Sequence, residues 1–351
     1  MLASLASLSM TLALGCDPES QLVGSGLPSE AWDVQWRVSD PPQAIISRVA
    51  AMPDGGAVII AQDELGFGQL RRFSAGGAEL FSVQLPGRGT RLAVLGSSIF
   101  VAGDQRISME VHRAALWRFS DAGALEASYM HPRPGDANSF GVAMALDDDE
   151  VALMVGNWGG LAEGESWHEL LRLSHELVPQ VEPIPFSGYV EDVGFTESGE
   201  LLVLETNPEE LDLLYTVGDP EPPLEVDCEI LIADGSPPIC TNTWGELRVT
   251  DVETGNVETL GTLGFPEEYG GVRSSRGPSL VFYGAVDDGP VLRVVALRED
   301  GTVGAEVEIP PTADAEHLTP IHSSQTSDGA VFVVVAEHKP GEACGAAPGS
   351  A

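Results

Sequence analysis

Leu70-Arg71-Arg72-Phe73-Ser74-Ala75-Gly76-Gly77-Ala78 aligns without a gap on Leu116-Trp117-Arg118-Phe119-Ser120-Asp121-Ala122-Gly123-Ala124. Each copy is an alternating apolar and polar stretch, a Ser/Asp/Gly turn, and the start of another short stretch, which is the pattern of a β-hairpin. Looser copies follow at Leu171-Arg172-Leu173-Ser174, at Leu247-Arg248-Val249-Thr250-Asp251, and at Val295-Ala296-Leu297-Arg298-Glu299-Asp300-Gly301. The chain is therefore read as a repeat of strands.

Ahead of each copy stands a turn and then an aliphatic run. These runs are Ala57-Val58-Ile59-Ile60-Ala61, Ser98-Ile99-Phe100-Val101-Ala102, Val151-Ala152-Leu153-Met154-Val155, Leu201-Leu202-Val203-Leu204, Leu280-Val281-Phe282-Tyr283 and Val331-Phe332-Val333-Val334-Val335. Apolar runs of this length without helical period predict strands buried on both faces. Each is preceded by a further strand-like stretch, such as Arg91-Leu92-Ala93-Val94-Leu95. Units of four short strands recurring about every 40–50 residues have the blade period of a β-propeller.

The fold class is thus all-β. We expect six four-stranded blades over residues 31–338, with five or seven as alternatives and a two-sheet sandwich as a weaker one. Trp36-Arg37-Val38-Ser39-Asp40 echoes Trp117-Arg118-Phe119-Ser120-Asp121, so a strand at about 31–39 is expected to complete the last blade and remove its open edges. The longer interval between the Leu201 and Leu280 runs is read as an insertion near 212–243. Residues 339–351, rich in Gly, Ala and Pro, are read as a disordered tail.

Thr250-Asp251-Val252-Glu253-Thr254-Gly255 resembles the D-x-x-T-G turn of quinoprotein-type propeller repeats. Thr259 stands where that family usually places a blade-docking Trp. The resemblance implies the fold and does not extend to a bound quinone.

Met1–Gly15 is an apolar run too short to span a bilayer as a helix but suited to a signal peptide. Leu12-Ala13-Leu14-Gly15-Cys16 resembles the lipobox of bacterial envelope lipoproteins. That resemblance implies cleavage before Cys16, lipidation of its thiol, a flexible tether over 16–30, and a lipid-anchored extracytoplasmic location. An ordinary secretory peptide is the alternative. Export implies an oxidising compartment, and Cys228 and Cys240 flank a turn-rich segment, so a local disulfide between them is expected. Cys344, in the tail, has no assigned role.

The chain has 351 residues, 54 Asp+Glu, 17 Lys+Arg and a net charge of −37, with Lys339 its one lysine. Such a surface repels phosphate backbones and anionic lipid, which argues against nucleic acid and basic-patch membrane docking. With 43% hydrophobic residues, the chain has the material for a packed core. A monomer with the carboxylates in turns and on outer strands is expected.

No P-loop, G-x-G-x-x-G or G-x-S-x-G occurs. His168-Glu169-Leu170-Leu171 begins like a zinc-protease motif, but Arg172 stands where the second His would be. Asp147-Asp148-Asp149-Glu150 is a carboxylate-rich run that reads first as a solvated turn, with oxygen ligands for weak Ca²⁺ binding as the alternative.

Propeller topology places the loops before inner strands and after second strands on one face. The candidate binding residues there are Asp63, Asp104, Asn157, Trp158, Tyr189, Glu191, Asn207 and Asp287. Asp63, Asp104, Asn157 and Asn207 follow the second strand at similar places, as turn residues or as a polar ring able to hold a divalent cation or a polyol. Trp158 is a candidate for stacking on a sugar or a partner side chain. The function expected is non-enzymatic binding of a protein or glycan partner at the envelope. One alternative resembles the six-bladed lactonase and gluconolactonase group, which implies one divalent ion, Ca²⁺ or another, held by Glu191, Asn157, Asn207 and Asp287. Another is a scaffold subunit of an envelope complex.

Overall fold

A computed structural model describes residues 19–25, 34–39, 44–63, 68–132, 138–158, 168–196, 198–206, 211–219, 222–226, 230–232, 239–242, 247–251, 256–261, 273–276, 280–285, 292–297, 303–311, 317–325 and 331–338. The regular elements among these residues are all strands, and they form seven four-stranded antiparallel sheets. Blade 1 holds Ala44–Ala51, Ala57–Asp63, Gly68–Phe73 and Glu79–Gln84. Blade 2 holds Arg88–Leu95, Ser98–Arg106, His112–Ser120 and Leu125–Met130. Blade 3 holds Asn138–Leu146, Glu150–Trp158, His168–Ser174 and Ile184–Phe186, and blade 4 holds Tyr189–Phe195, Leu201–Thr206, Asp212–Thr216 and Leu224–Val226.

Blade 5 is made of Ile230–Ile232, Ile239–Asn242, Leu247–Asp251 and Asn256–Gly261. Blade 6 is made of Arg273–Arg276, Leu280–Ala285, Leu292–Leu297 and Val303–Ile309. Blade 7 joins the two ends of the chain, because His317–Gln325 and Val331–His338 are completed by Glu19–Ser25 and Val34–Ser39. In each blade the strands are named a to d from the inside outward. The a strands of successive blades pack on one another, and that of blade 7 packs on that of blade 1, which closes the ring.

The all-β propeller expected from the repeat is the fold observed. The seven sheets match one of the alternative counts rather than the six preferred. The difference arises at 212–243, which is not an insertion: it supplies strands c and d of blade 4 and strands a and b of blade 5. Those strands are only 3–5 residues long, too short to show an alternating pattern. Glu19–Ser25, inside the stretch read as a tether, is strand c of blade 7 and pairs Leu22 with Val334 and Val23 with Val333. The expected closing strand near 31–39 is found at Val34–Ser39, as the outermost strand.

The core lies in the seams between blades. Ile99 and Val101 of blade 2 pack toward blade 1 with Val58, Ile60 and Leu70, while Phe100 and Ala102 pack toward blade 3 with Leu153, Val155 and Leu171. Side chains alternate across a strand, so a b strand covered on both faces must be apolar at every position. That is why the runs are continuous.

The repeated Arg ties blades together at the c–d turns. Arg72 donates to the carbonyl of Asp121, and Arg118 donates to the carbonyl of His175 (2.8 Å) and to both carboxylate oxygens of Glu176 (2.8 and 3.0 Å). The turns themselves repeat: the hydroxyls of Ser74, Ser120 and Ser174 accept the amides of Ala78, Ala124 and Val178. Gly77 (φ 79°) and Gly123 (φ 81°) occupy the left-handed position, and in blade 3 Leu177 does so at φ 60°.

Candidate functional site

The d–a and b–c connections lie on one face, where the a and c strands begin. Five of the seven a strands carry a β-bulge near this end, between Ile46 and Arg48, Gly89 and Arg91, Gly141 and Ala143, Val190 and Asp192, and Pro320 and His322. A bulge inserts one residue and bends the strand. Glu191 is such an inserted residue, and it is exposed. The next residue, Asp192, is partly buried; desolvation pushes it up to about 6 against the pull of Arg91 and the Val193 amide.

The bulges also fix the register of the b strands. Counted from the residue opposite the bulge (Ile60, Ala102, Met154, Leu204), Asp63 and Asn157 are equivalent, but Asp104 comes one position earlier. Its counterparts are Gln62, Gly156 and Thr206. The ring of four equivalent polar residues is therefore corrected: in a strand a one-residue offset puts Asp104 on the opposite face from Asn157.

That offset builds the most developed polar site among the described residues. Asp104 is 1% exposed. One carboxylate oxygen accepts from Arg88 (Nε and Nη2, both 2.8 Å), and the other accepts from His112 Nδ1 at 2.7 Å. The three residues come from strands a, b and c of blade 2. Gly87, just ahead of Arg88, lets the chain pass the Asp104 carbonyl so closely that a Cβ there would collide with it.

Blade 3 covers this cluster. The backbone amide of His112 donates to Asn138 Oδ1 at 2.7 Å, and the amide of Ala114 donates to the Ser139 hydroxyl at 3.0 Å. Phe140 stands 5.8 Å from the His112 ring and 5.6 Å from the Arg88 guanidinium, a cation–π distance. Trp158 meets Phe140 edge-on at 6.4 Å and remains 46% exposed. Trp158 is thus the solvent end of a row running Asp104, His112 and Arg88, Phe140, Trp158.

The other candidates fall elsewhere. Asn157 is fully buried and donates Nδ2 to Glu169 at 2.9 Å, with His131 on the far side of that carboxylate at 3.7 Å. Tyr189 packs edge-on against His168 at 5.2 Å. His168, 2% exposed, donates Nδ1–H to the Gly188 carbonyl (3.0 Å), which leaves Nε2 the unprotonated nitrogen; burial holds its pKa below the ordinary value. Next to it Glu205, 3% exposed, accepts the Gly188 amide, and the Tyr215 hydroxyl beside Glu205 is pushed up to about 12 by burial first and by that carboxylate second.

His168-Glu169 accordingly serves the seams between blades. Asp63 ends strand b of blade 1 opposite Ala44. Asp147 turns its own carboxylate onto the amides of Asp149 and Glu150, 2.8 and 2.6 Å away, the geometry of a capped turn. No group of three or more His, Cys, Asp or Glu side chains is placed to hold a metal ion among the described residues. Asn157 and Glu191, proposed to share an ion, do not meet: one is buried against Glu169 and the other exposed on the next blade. Asn207, Asp287, Cys16, Cys228 and Cys344 lie outside the described residues. Cys240 pairs by backbone with Leu231 and Thr250.

Arg88, His112 and Phe140 were not singled out from the sequence as site residues. Their local patterns are ordinary strand ends; Arg88 and His112 meet through Asp104 within blade 2, and the seam with blade 3 brings Phe140 to them.

The chain matches no protein-family model, and no curated protein is similar to it. It is similar in structure to the WD40 domain of Pan2 from Neurospora crassa, at 10% identity and TM-score 0.53, over 85% of this chain and 90% of that one. It also resembles BamB from Moraxella catarrhalis, at 17% identity and TM-score 0.46, over 86% and 88% of the two chains. A third likeness is a protein of unknown function from Bacteroides caccae, at 11% identity and TM-score 0.38, over 84% and 100%. The likeness to the Pan2 domain agrees with the strand topology: this chain is a β-propeller.

Proposed function

We propose that the protein is a non-enzymatic, lipid-anchored propeller that binds a protein or glycan partner at the cell envelope through the face of the d–a and b–c connections. The observation that carries this reading is the row from Asp104 to Trp158. A buried carboxylate fixes Arg88 and His112, those support Phe140, and Phe140 holds the side of a half-exposed Trp158. A large aromatic presented from a rigid polar base loses little conformational freedom when it binds. The lipobox-like Leu12–Cys16 stretch supports the location.

The test is retention from envelope extract on immobilised wild-type protein and on the Phe140→Ala/Trp158→Ala double variant. A protein or glycan held by the wild type and lost from the variant, with the thermal unfolding midpoint little changed, is the expected result. Equal retention by both sinks the reading. Labelling with a radioactive fatty acid, abolished by Cys16→Ala, checks the anchor separately.

A further inference from the structure

Directly opposite Gly156 in blade 3 stands His168, 2% exposed. Its orientation is imposed by blade 4. The buried carboxylate of Glu205 accepts the Gly188 amide, and the Gly188 carbonyl accepts the Nδ1 proton of His168 at 3.0 Å. Residue 188 has to be glycine, because a Cβ there would collide with the Glu205 carboxylate and the Thr206 carbonyl. Tyr189 closes one side of the imidazole, edge-on at 5.2 Å. With Nδ1 committed as the donor, Nε2 is left as an acceptor, and burial lowers the pKa of the ring, which favours that neutral form. This Nε2 is buried and has no hydrogen-bond partner.

Trp158 brings the complementary group to the same place. A Cβ on Gly156 would lie 3.4 Å from His168 Nε2, 3.2 Å from Trp158 Nε1 and 2.9 Å from Val142 Cγ1. The two nitrogens therefore border one spot beside the Gly156 backbone, where residue 156 itself contributes no side chain. Phe140 holds the indole edge-on, and 46% of Trp158 is exposed. An indole N–H can only donate, and the Nε2 of this tautomer can only accept. A hydroxyl satisfies both at once. An unpaired buried acceptor costs free energy that such a hydroxyl recovers. Charge and surface select the molecule that carries it. A chain of net charge −37 repels anions and is indifferent to a neutral ligand. The C–H bonds of a sugar ring carry the partial positive charge that the face of an exposed indole attracts.

We infer that Trp158 Nε1 and His168 Nε2, with the Gly156 backbone between them, form a subsite for one hydroxyl of a neutral saccharide whose ring rests against the exposed indole. This rests on the reading of the face as a partner-binding surface and narrows the partner to a glycan.

The methyl glycosides of glucose, galactose, mannose and N-acetylglucosamine test it on the full-length mature protein, by NMR titration with the His168 ring nitrogens labelled. At least one glycoside is expected to bind saturably and to move the Nε2 resonance. Trp158→Phe, which keeps an aromatic face and removes only the N–H, should weaken that binding about fivefold, the loss of one hydrogen bond. His168→Phe should weaken it as well, and Leu80→Asp on the outer strand of blade 1 should leave it unchanged. Because His168→Phe also gives up the Gly188 bond, Trp158→Phe, at an exposed position, is the deciding variant. Absence of binding by every glycoside, wild-type affinity in Trp158→Phe, or tighter binding of N-acetylserine amide than of any glycoside overturns the inference. So does an Nε2 resonance unmoved at saturation, which would assign the spot to a structural water only. Retention of an envelope partner that depends on Trp158, with no glycoside bound, removes this inference alone. Equal retention by the wild type and the Phe140→Ala/Trp158→Ala variant removes the broader reading.

Discussion

The carboxylate of Asp104 holds His112 Nδ1 at 2.7 Å while itself being almost sealed from solvent. Its second oxygen holds Arg88, so one buried acid fixes strands a, b and c of blade 2 at their shared end. Removing one partner of a buried charge pair leaves the rest uncompensated. Arg88 and His112 keep about a quarter to a third of their side chains in water, which softens the loss. Asp104→Ala is expected to cost about 2 kcal/mol in urea unfolding, and a change within experimental error would contradict the assignment.

Leu177 stands at φ 60° where Gly77 and Gly123 stand in the equivalent turns. A left-handed residue with a Cβ costs roughly 1–2 kcal/mol, and Leu177, 4% exposed, offsets this by packing into the seam with Phe100 and Leu171. Leu177→Ala loses the packing and keeps the strain, at about 2–4 kcal/mol. Leu177→Gly loses the packing but relieves the strain. Glycine is therefore expected to be the milder substitution by about 1 kcal/mol, the reverse of its usual order. Chemical denaturation of both variants decides it.

Burial lowers the pKa of His168, outweighing the Gly188 carbonyl and the Glu205 carboxylate. The unfolded chain binds a proton at about pH 6.5 that the native state resists. Stability is therefore full above that pH and declines as the pH falls below it, by at most about 1.4 kcal/mol per pH unit. His168→Gln removes this contribution. The loss of unfolding free energy between pH 7.5 and 5.5 should be smaller in the variant, and identical slopes would refute the origin.

Arg118 reaches both the His175 carbonyl and the Glu176 carboxylate across a seam. Glu176 is surface-exposed, and its pairing lowers its own pKa and raises that of Arg118. Exposed pairs contribute little because water screens them, whereas the hydrogen bond to a backbone carbonyl survives loss of the acid. Glu176→Gln is thus expected to leave the unfolding midpoint almost unchanged. Arg118→Ala should lower stability by about 1 kcal/mol. Equal effects of the two would show that the ion pair, not the carbonyl, is the latch.

The local pattern of residues determined the strands, their turns and the propeller. Val58–Ala61 and Ile99–Ala102 are apolar at every position because both faces of a b strand are buried, and this condition is visible in any short window. The repeated Arg of Leu70–Phe73 and Leu116–Phe119 was visible for the same reason. The number of blades, the ring closure and the site were decided by tertiary structure. Strands of 3–5 residues around 212–243 carry too few positions for a periodic signal. The pairing of Leu22 with Val334 joins opposite ends of the chain, which no neighbouring residue specifies. Asp104 differs from Asn157 through a one-residue register step set by bulges in another strand. The contact of Arg88 with Phe140 exists only because two sheets meet face to face.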